Sequence, residues 1–226
     1  MLPQSQYEPN LRGCDALHFG AQPHHFGVEY HGKGRISARP YEPRAKRVEH
    51  TLMNQHDEHL RGGPDAGWVE ATIEIPRGSR NKYEFDHERG VYRLDRVLYS
   101  SMHYPTDYGF LEGTLSGDGD PLDVLVVVEE PTFPGCHMRA RPIGTLTMTD
   151  SKGLDEKILA VPVDDPRYSS VKTLADLHEH WQREISAFFR TYKELQGEQT
   201  DVREWQDVDE AWKVIVACQQ RFETTR

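Results

Sequence analysis

Gly117-Asp118-Gly119-Asp120-Pro121-Leu122-Asp123 places three carboxylates within six residues. In open water such a turn is tolerated. At the mouth of a buried strand the mutual repulsion needs a counter-charge, and a hard divalent cation with oxygen ligands is the natural one. Gly119 permits a tight turn, and Pro121 stiffens the loop before the strand. An EF-hand is excluded, because its third ligand position falls on Leu122 and no helices flank the loop. A lone Asp-Gly-Asp is most simply a solvated acidic turn, but a second acidic pair shifts the reading. Asp150 and Asp155 stand at the two ends of a turn between expected strands, with Lys157 two residues on. Such a turn can bring both carboxylates to one end of a barrel; the plain alternative is an Asp-rich hairpin. Lys82 shares a strand face with Glu84, Arg96 follows Asp95, and Lys193 follows Tyr192. Singly each is a surface cation. Taken with the carboxylates they describe a place where metal ions meet a polyanion. Mg²⁺ keeps part of its water shell and is held by a few carboxylates plus substrate phosphates, while Lys and Arg neutralise the outer phosphate oxygens. The segment Tyr104-Pro105-Thr106-Asp107-Tyr108-Gly109-Phe110 can add phenol donors.

The elements that must position these groups can be read from periodicity. Trp68–Ile75 alternates, with Val69, Ala71, Ile73 and Ile75 on one face and Glu70, Thr72 and Glu74 on the other, as a strand does. Residues 81–86 alternate again, and a strand is expected over 91–98 after a Glu88-Arg89-Gly90 turn. The solid apolar run from Asp123 to Val128 predicts a strand buried on both faces. Residues 143–149 and 157–163 form a further pair around Ser151-Lys152-Gly153. Two helices come last. From Thr173, apolar residues at Leu174, Leu177, Trp181, Ile185, Phe188, Tyr192 and Leu195 recur at three and four, and Thr173 with Asp176 resembles a capping box. A second helix starts near Asp207, with Val208, Ala211, Trp212, Ile215 and Phe222 on one face. Strands first and helices last predict a β-rich α+β domain: a small closed OB-like β-barrel with two C-terminal helices packed outside.

Charge is uneven along the 226 residues. Residues 1–66 hold eight Lys/Arg and eight Asp/Glu, so the whole net −10 belongs to residues 67–226. The first segment carries seven of the 12 histidines, six prolines and seven glycines. Its Leu, Ile, Val and Phe number 10 in 66, below the roughly 20% that a packed core needs. Residues 1–66 are therefore expected to be a disordered N-terminal extension ending in Arg61-Gly62-Gly63-Pro64, and Met53 within it is an alternative start. His24, His25 and His31, and the near-miss to a zinc pattern at His56-Asp57-Glu58-His59, are read as solvated tail histidines. Residues 67–226 are expected to be one catalytic domain. An acidic chain is not held to nucleic acid by bulk phosphate electrostatics, nor to a membrane surface by basic residues. Apolar runs such as Val124–Val128 fall far short of the roughly 20 residues of a membrane span, and no secretory signal opens the chain. Cys14, Cys136 and Cys218 are scattered, so neither a disulfide framework nor a Cys-type zinc site follows. A soluble, cytoplasmic protein is the expectation.

The body resembles the soluble inorganic pyrophosphatases of family I, with the look of the short bacterial, actinobacterial-like type. The matching residues run in the family's order over about 69–197: Ile73-Glu74-Ile75-Pro76, Asn81-Lys82-Tyr83-Glu84, Asp95-Arg96, Tyr104-Pro105 to Phe110, Asp118-Gly119-Asp120-Pro121-Leu122-Asp123, Asp150 to Lys157, and Phe188 to Lys193. The resemblance implies that Asp118, Asp123 and Asp155 hold a first Mg²⁺ and that Asp123 also reaches a second. It implies that Asp150 and Asp155 bind metal arriving with substrate, that Glu74 acts on a further metal through waters, and that Glu84 supports the site. Asp120 is implied as the general base. Lys82, Arg96, Tyr108, Lys157, Tyr192 and Lys193 are implied to hold the phosphates, with Lys82, Arg96 and Tyr108 next to the reacting centre. Asp107 stands where some members carry Asn. Residues 1–66 have no counterpart in the short bacterial type.

The implied reaction is Mg²⁺-dependent hydrolysis of pyrophosphate to two orthophosphates, with several ions per site and a homohexameric assembly, and with neither nucleic acid nor a membrane as partner. Mn²⁺ and Zn²⁺ remain alternatives to Mg²⁺. Surface His87 lies just beyond Asp86, where it would tune pH dependence only if it reached the site. Three competing readings are a metal-dependent nucleotide or phosphate-ester hydrolase, an OB-type binding module, and an inactive paralogue. Against the first stands the lack of a Walker-type loop; against the second, the acidic body; against the third, the complete set of site residues.

Overall fold

The computed structural model describes residues 62–86, 88–150 and 153–225. The histidines of the extension, Met53, His87 and the Ser151-Lys152 turn lie outside the described residues. Nine strands and two helices follow in order: β1 (Gly62–Gly63), β2 (Trp68–Ile75), β3 (Asn81–Asp86), β4 (Val91–Val97), β5 (Asp107–Leu111), β6 (Asp123–Val126), β7 (His137–Asp150), β8 (Gly153–Pro162), α1 (His180–Thr191), β9 (Asp201–Asp207) and α2 (Val208–Thr225). Among the described residues no helix is long and apolar enough to cross a membrane.

Five strands close on themselves. β2 pairs with β5, β5 with β6, β6 with β8, β8 with β7, and β7 returns to β2; only the β6–β8 pairing is parallel. This is the expected small OB-like barrel. Strand β7 makes closure possible by its length and its bend. Its first part pairs with β2 from Val69↔Ala140 to Thr72↔His137, and its second part carries β9 from Gly144↔Asp207 to Thr149↔Asp201. Between the two, the register shifts at Pro142–Gly144, where a proline removes a ladder donor. Strands β3 and β4 form a separate hairpin.

Strand β6 is buried on both faces, as its apolar run predicts. Leu125 joins a cluster with Ile185, Phe188 and Phe189 of α1, while Val124 and Val126 join one with Ala211, Val214 and Ile215 of α2. The expected single apolar face of β2 is corrected. Val69, Ala71 and Ile73 pack with the α2 cluster but Ile75 packs with the α1 cluster. The register against β5 slips between Ile73↔Gly109 and Ile75↔Tyr108, so Glu74 is the extra residue of a bulge and the alternation flips beyond it.

The long helix expected from Thr173 is also corrected. Leu174–Asp176 form a 3₁₀ turn, Leu177 is extended (φ −94, ψ 141), and α1 begins only at His180. Asp176 accepts from the Thr173 N–H at 2.9 Å and the Lys172 N–H at 3.0 Å, closing the turn on itself. Leu174 and Leu177 still pack on the α1 cluster, which is why the apolar spacing runs through the break. Three strands lacked a sequence signal, β1 among them, since its Gly62–Gly63 lie in the segment expected to be disordered. β5 is wholly buried and contains Gly109, so it has no alternation; β9 reads as charged, with Val202 buried and Trp205 half-buried. On α2 the buried residues are Ala211, Val214, Ile215 and Cys218, which shifts the expected face away from Phe222.

Candidate active site

A cleft of about 400 Å³ opens beside the barrel. Strand register builds its centre. In parallel strands β6 and β8, Asp123 lies beside Lys157, and Asp155 lies two residues before Lys157 on the same face. The Lys157 ammonium therefore reaches Asp123 at 2.5 Å, Asp155 at 3.0 Å and the Tyr108 hydroxyl at 3.3 Å. An ammonium has three hydrogens to donate, and these three partners match them. Its side chain is 2% exposed. Burial works against the charge, but the Asp123 and Asp155 carboxylates outweigh it and hold the lysine above its ordinary value. The Tyr108 hydroxyl donates to the same Asp123 oxygen. Burial, reinforced by Asp123, pushes its phenol well above the ordinary value, so it stays a donor. Burial also raises the Asp155 carboxyl, against the pull of Lys157.

The acidic loop is tied at its neck. The Leu111 N–H donates to the Leu122 carbonyl at 2.9 Å, and the Leu122 N–H donates to the buried Thr114 hydroxyl at 2.9 Å. Gly119 takes φ +92, a conformation costly for other residues, and the Asp118 carboxylate accepts from the Asp120 N–H at 3.1 Å. Both carboxylates are exposed to the cleft. Helix α2 braces the loop from behind, since the Leu115 N–H donates to the Cys218 carbonyl at 3.0 Å and Arg221 donates to the Leu115 carbonyl.

The hairpin β3–β4 supplies the facing wall. Lys82 and Arg96 are directly opposed in its register, and the slip beyond them makes Asp95 the bulged residue. Two like charges in that position repel. Asp95 offsets this by accepting from Arg96 Nε at 2.8 Å and lying 3.5 Å from Lys82 Nζ, while Lys82 also pairs with Glu84. Glu74, aimed into the cleft from its bulge, accepts from the Phe85 N–H at 2.8 Å. Burial, with Asp123 adding to it, pushes the Glu74 carboxyl up to about 7. At the end of α1, Lys193 donates to Asp150 at 3.0 Å and lies 3.4 Å from Glu198, beside Tyr192.

All the site residues singled out in the sequence line this one cleft. Asp107 is different. It is fully buried and accepts from the Arg77 N–H at 2.7 Å, the Thr132 N–H at 3.1 Å and the Thr132 hydroxyl at 2.6 Å, so it ties loops together. Sequence reasoning assigned no role to Asp95, and it missed Gln196 and Glu156, which also line the cleft. Gln196 had one usable signal, its place three residues after Lys193 on the same turn.

Among the described residues no three acidic, histidine or cysteine side chains form a ready-made metal cage. The donor set nevertheless suits hard cations. Among the described residues lining the cleft, Glu74, Glu84, Asp118, Asp120, Asp123, Asp150, Asp155 and Glu156 stand against Lys82, Arg96, Lys157 and Lys193. Eight carboxylates against four cations would repel an anionic ligand unless divalent ions reversed the local sign. The Glu74 and Asp155 carboxyls are raised mainly by burial, with the Asp123 charge adding to it.

Residues 71–223 match the sequence model of the family described as inorganic pyrophosphatase. The chain is 53% identical over 154 residues to an inorganic pyrophosphatase of Geobacillus stearothermophilus, covering 68% of this chain and 93% of that protein. It is 51% identical over 154 residues to one from Streptomyces coelicolor, covering 68% and 94%. Among solved structures, an inorganic pyrophosphatase from Thermus thermophilus superposes with a TM-score of 0.68 at 40% identity, covering 73% of this chain and 98% of that one.

Proposed function

The chain belongs to the inorganic pyrophosphatase family, and from that membership we propose that it hydrolyses pyrophosphate to two orthophosphates with Mg²⁺ as cofactor and Asp120 as general base. The observation that carries this reading is the cleft in which Lys157 is pinned between Asp123 and Asp155 amid a surplus of carboxylates. Asp118, Asp123 and Asp155 would hold one ion and Asp123 would share a second. Asp150 and Asp155 would take ions arriving with substrate, Glu74 would act through waters, and Glu84 would support the set. Bound there, Mg²⁺ supplies charge neutralisation on the phosphoryl oxygens and acidifies water.

The chain's own residues then do the following. Lys82, Arg96, Lys193 and the Tyr192 hydroxyl hold the outer phosphate oxygens, with Tyr108 and Lys157 beneath them. Water oxygen bonds to one phosphorus, the bridging P–O bond breaks, and Asp120 takes the water proton. Lys157 holds Asp123 and Asp155 together while this happens. By family likeness the assembly is a cytoplasmic homohexamer, and exposed Leu94, Tyr99, Phe133 and Leu195 offer apolar surface to it.

Asp120→Asn and Asp123→Asn should each lower kcat by about 10²–10⁴-fold while thermal unfolding stays cooperative. Near-wild-type phosphate release from pyrophosphate in either variant would sink the assignment. Faster Mg²⁺-dependent release from ATP than from pyrophosphate would favour a nucleotide hydrolase instead.

A further inference from the structure

Gln196 closes the 3₁₀ turn Glu194–Gln196 that follows α1. Its N–H donates to the Lys193 carbonyl at 2.9 Å, and Gly197 ends the turn at φ +78 with its own N–H on the Glu194 carbonyl. One short turn thus fixes Lys193 and Gln196 together on the wall of the cleft. From the opposite wall, Arg96 Nη1 donates to Gln196 Oε1 at 3.0 Å. A guanidinium has donors only, so the amide must turn its oxygen toward Arg96. Its Nε2 is then directed away from Arg96, and it is buried with no acceptor among the described residues. A buried amide donor without a partner is a costly arrangement that native structures avoid. Gln196 lines the cleft together with Arg96, Lys193, Lys82 and Tyr192. The carboxylates nearby, Asp95 and Asp150, accept from Arg96 and Lys193, and an anionic oxygen brought from outside would supply the acceptor that Nε2 lacks.

We propose that Gln196 is a phosphate-binding residue: its Nε2 donates to a terminal, non-bridging phosphoryl oxygen while its Oε1 fixes the Arg96 fork on the same phosphate. This rests on the reading of the cleft as a pyrophosphate site. It adds a neutral, directional donor to a set that is otherwise cationic or phenolic, and it couples the β3–β4 hairpin to the end of α1 through the substrate.

Gln196→Ala and Gln196→Glu in the full chain separate this role from a structural one. Gln196→Glu keeps an acceptor for Arg96 but replaces the donor with a negative charge. If the amide contacts phosphate, KM for Mg²⁺–pyrophosphate rises about tenfold in Gln196→Ala and further in Gln196→Glu, with the unfolding temperature unchanged. If Gln196 only anchors Arg96, Gln196→Glu behaves as wild type, and a KM within about twofold of wild type overturns the proposal. Calorimetric binding of Mg²⁺–imidodiphosphate, which is not turned over, reads the same contact. A wild-type chain that does not hydrolyse pyrophosphate sinks the proposed reaction, whereas wild-type affinity for imidodiphosphate in Gln196→Glu sinks the role of Gln196 alone.

Discussion

Lys157 and Glu74 meet the same burial with opposite outcomes. Lys157 keeps its charge because two carboxylates lie within 3.0 Å. Glu74 has one backbone N–H and is repelled by Asp123, so burial wins and its carboxyl rises to about 7. The sign of the linkage follows. A folded-state carboxyl raised above its unfolded value binds the proton more tightly when folded. Its stabilising contribution is present below the unfolded value and is lost as pH rises through about 7. The metal-free protein, kept in chelator, should therefore lose thermal stability between about pH 5 and about pH 8, and Glu74→Gln should flatten that slope. Calorimetric unfolding across this range checks it; an unchanged slope in Glu74→Gln would place the titration elsewhere, Asp155 being the next group with the same sign. The residue types of this site were legible in the sequence, because the acidic turn at Asp118, Asp120 and Asp123 is joined by a second acidic pair, Asp150 and Asp155, and by interleaved cations. Which of them are perturbed was not, since that depends on a bulge and on the Phe85 N–H.

Elements were legible where apolar period and burial agree. Strands β2 and β3 have the bounds the alternation predicts, and the apolar run at Asp123 gives the doubly buried β6. Elements failed to show where side chains carry little of the packing. Strand β5 depends on backbone approach: a Cβ at Gly109 would overlap the Thr72 carbonyl of β2. That contact seals the β2–β5 seam, which also presents Glu74 and Tyr108 to the cleft. Gly109→Ala should cost about 2–3 kcal/mol, measured by urea denaturation, and should lower activity through misplacement of Tyr108. A neutral effect on stability would mean that the seam can open without loss. The broken helix teaches the same lesson from the other side. Leu174 and Leu177 kept a helical spacing because a 3₁₀ turn and an extended residue can also deliver them to one core. Gly144, where a Cβ would strike the Leu174 side chain, makes room for them.

At the scale of the molecule, the net −10 of residues 67–226 has a partial location, since among the described residues the cleft alone is lined by eight carboxylates and four cations. An acidic protein can take a highly anionic substrate if divalent ions reverse the sign where it binds. The boundary of that body is also sharper than composition allowed. Gly62 and Gly63 pair with Val69 and Trp68, and the Gly67 N–H donates to the Gly63 carbonyl at 2.9 Å, so the described fold begins five residues before 67. The family match begins at residue 71, and the Geobacillus relative aligns over 93% of its own length. Two truncations should therefore differ. Removing residues 1–61 should leave kcat/KM within about twofold of the full chain and the unfolding temperature unchanged, because every described strand pairing survives. Removing residues 1–66 strips β1 from the β2 edge. It should keep turnover, since no cleft residue is touched, but lower the unfolding temperature by about 2–4 °C for a loss of about 1 kcal/mol. Loss of turnover in the shorter deletion would show that residues 1–61 act on the site and would refute the separation of extension from enzyme.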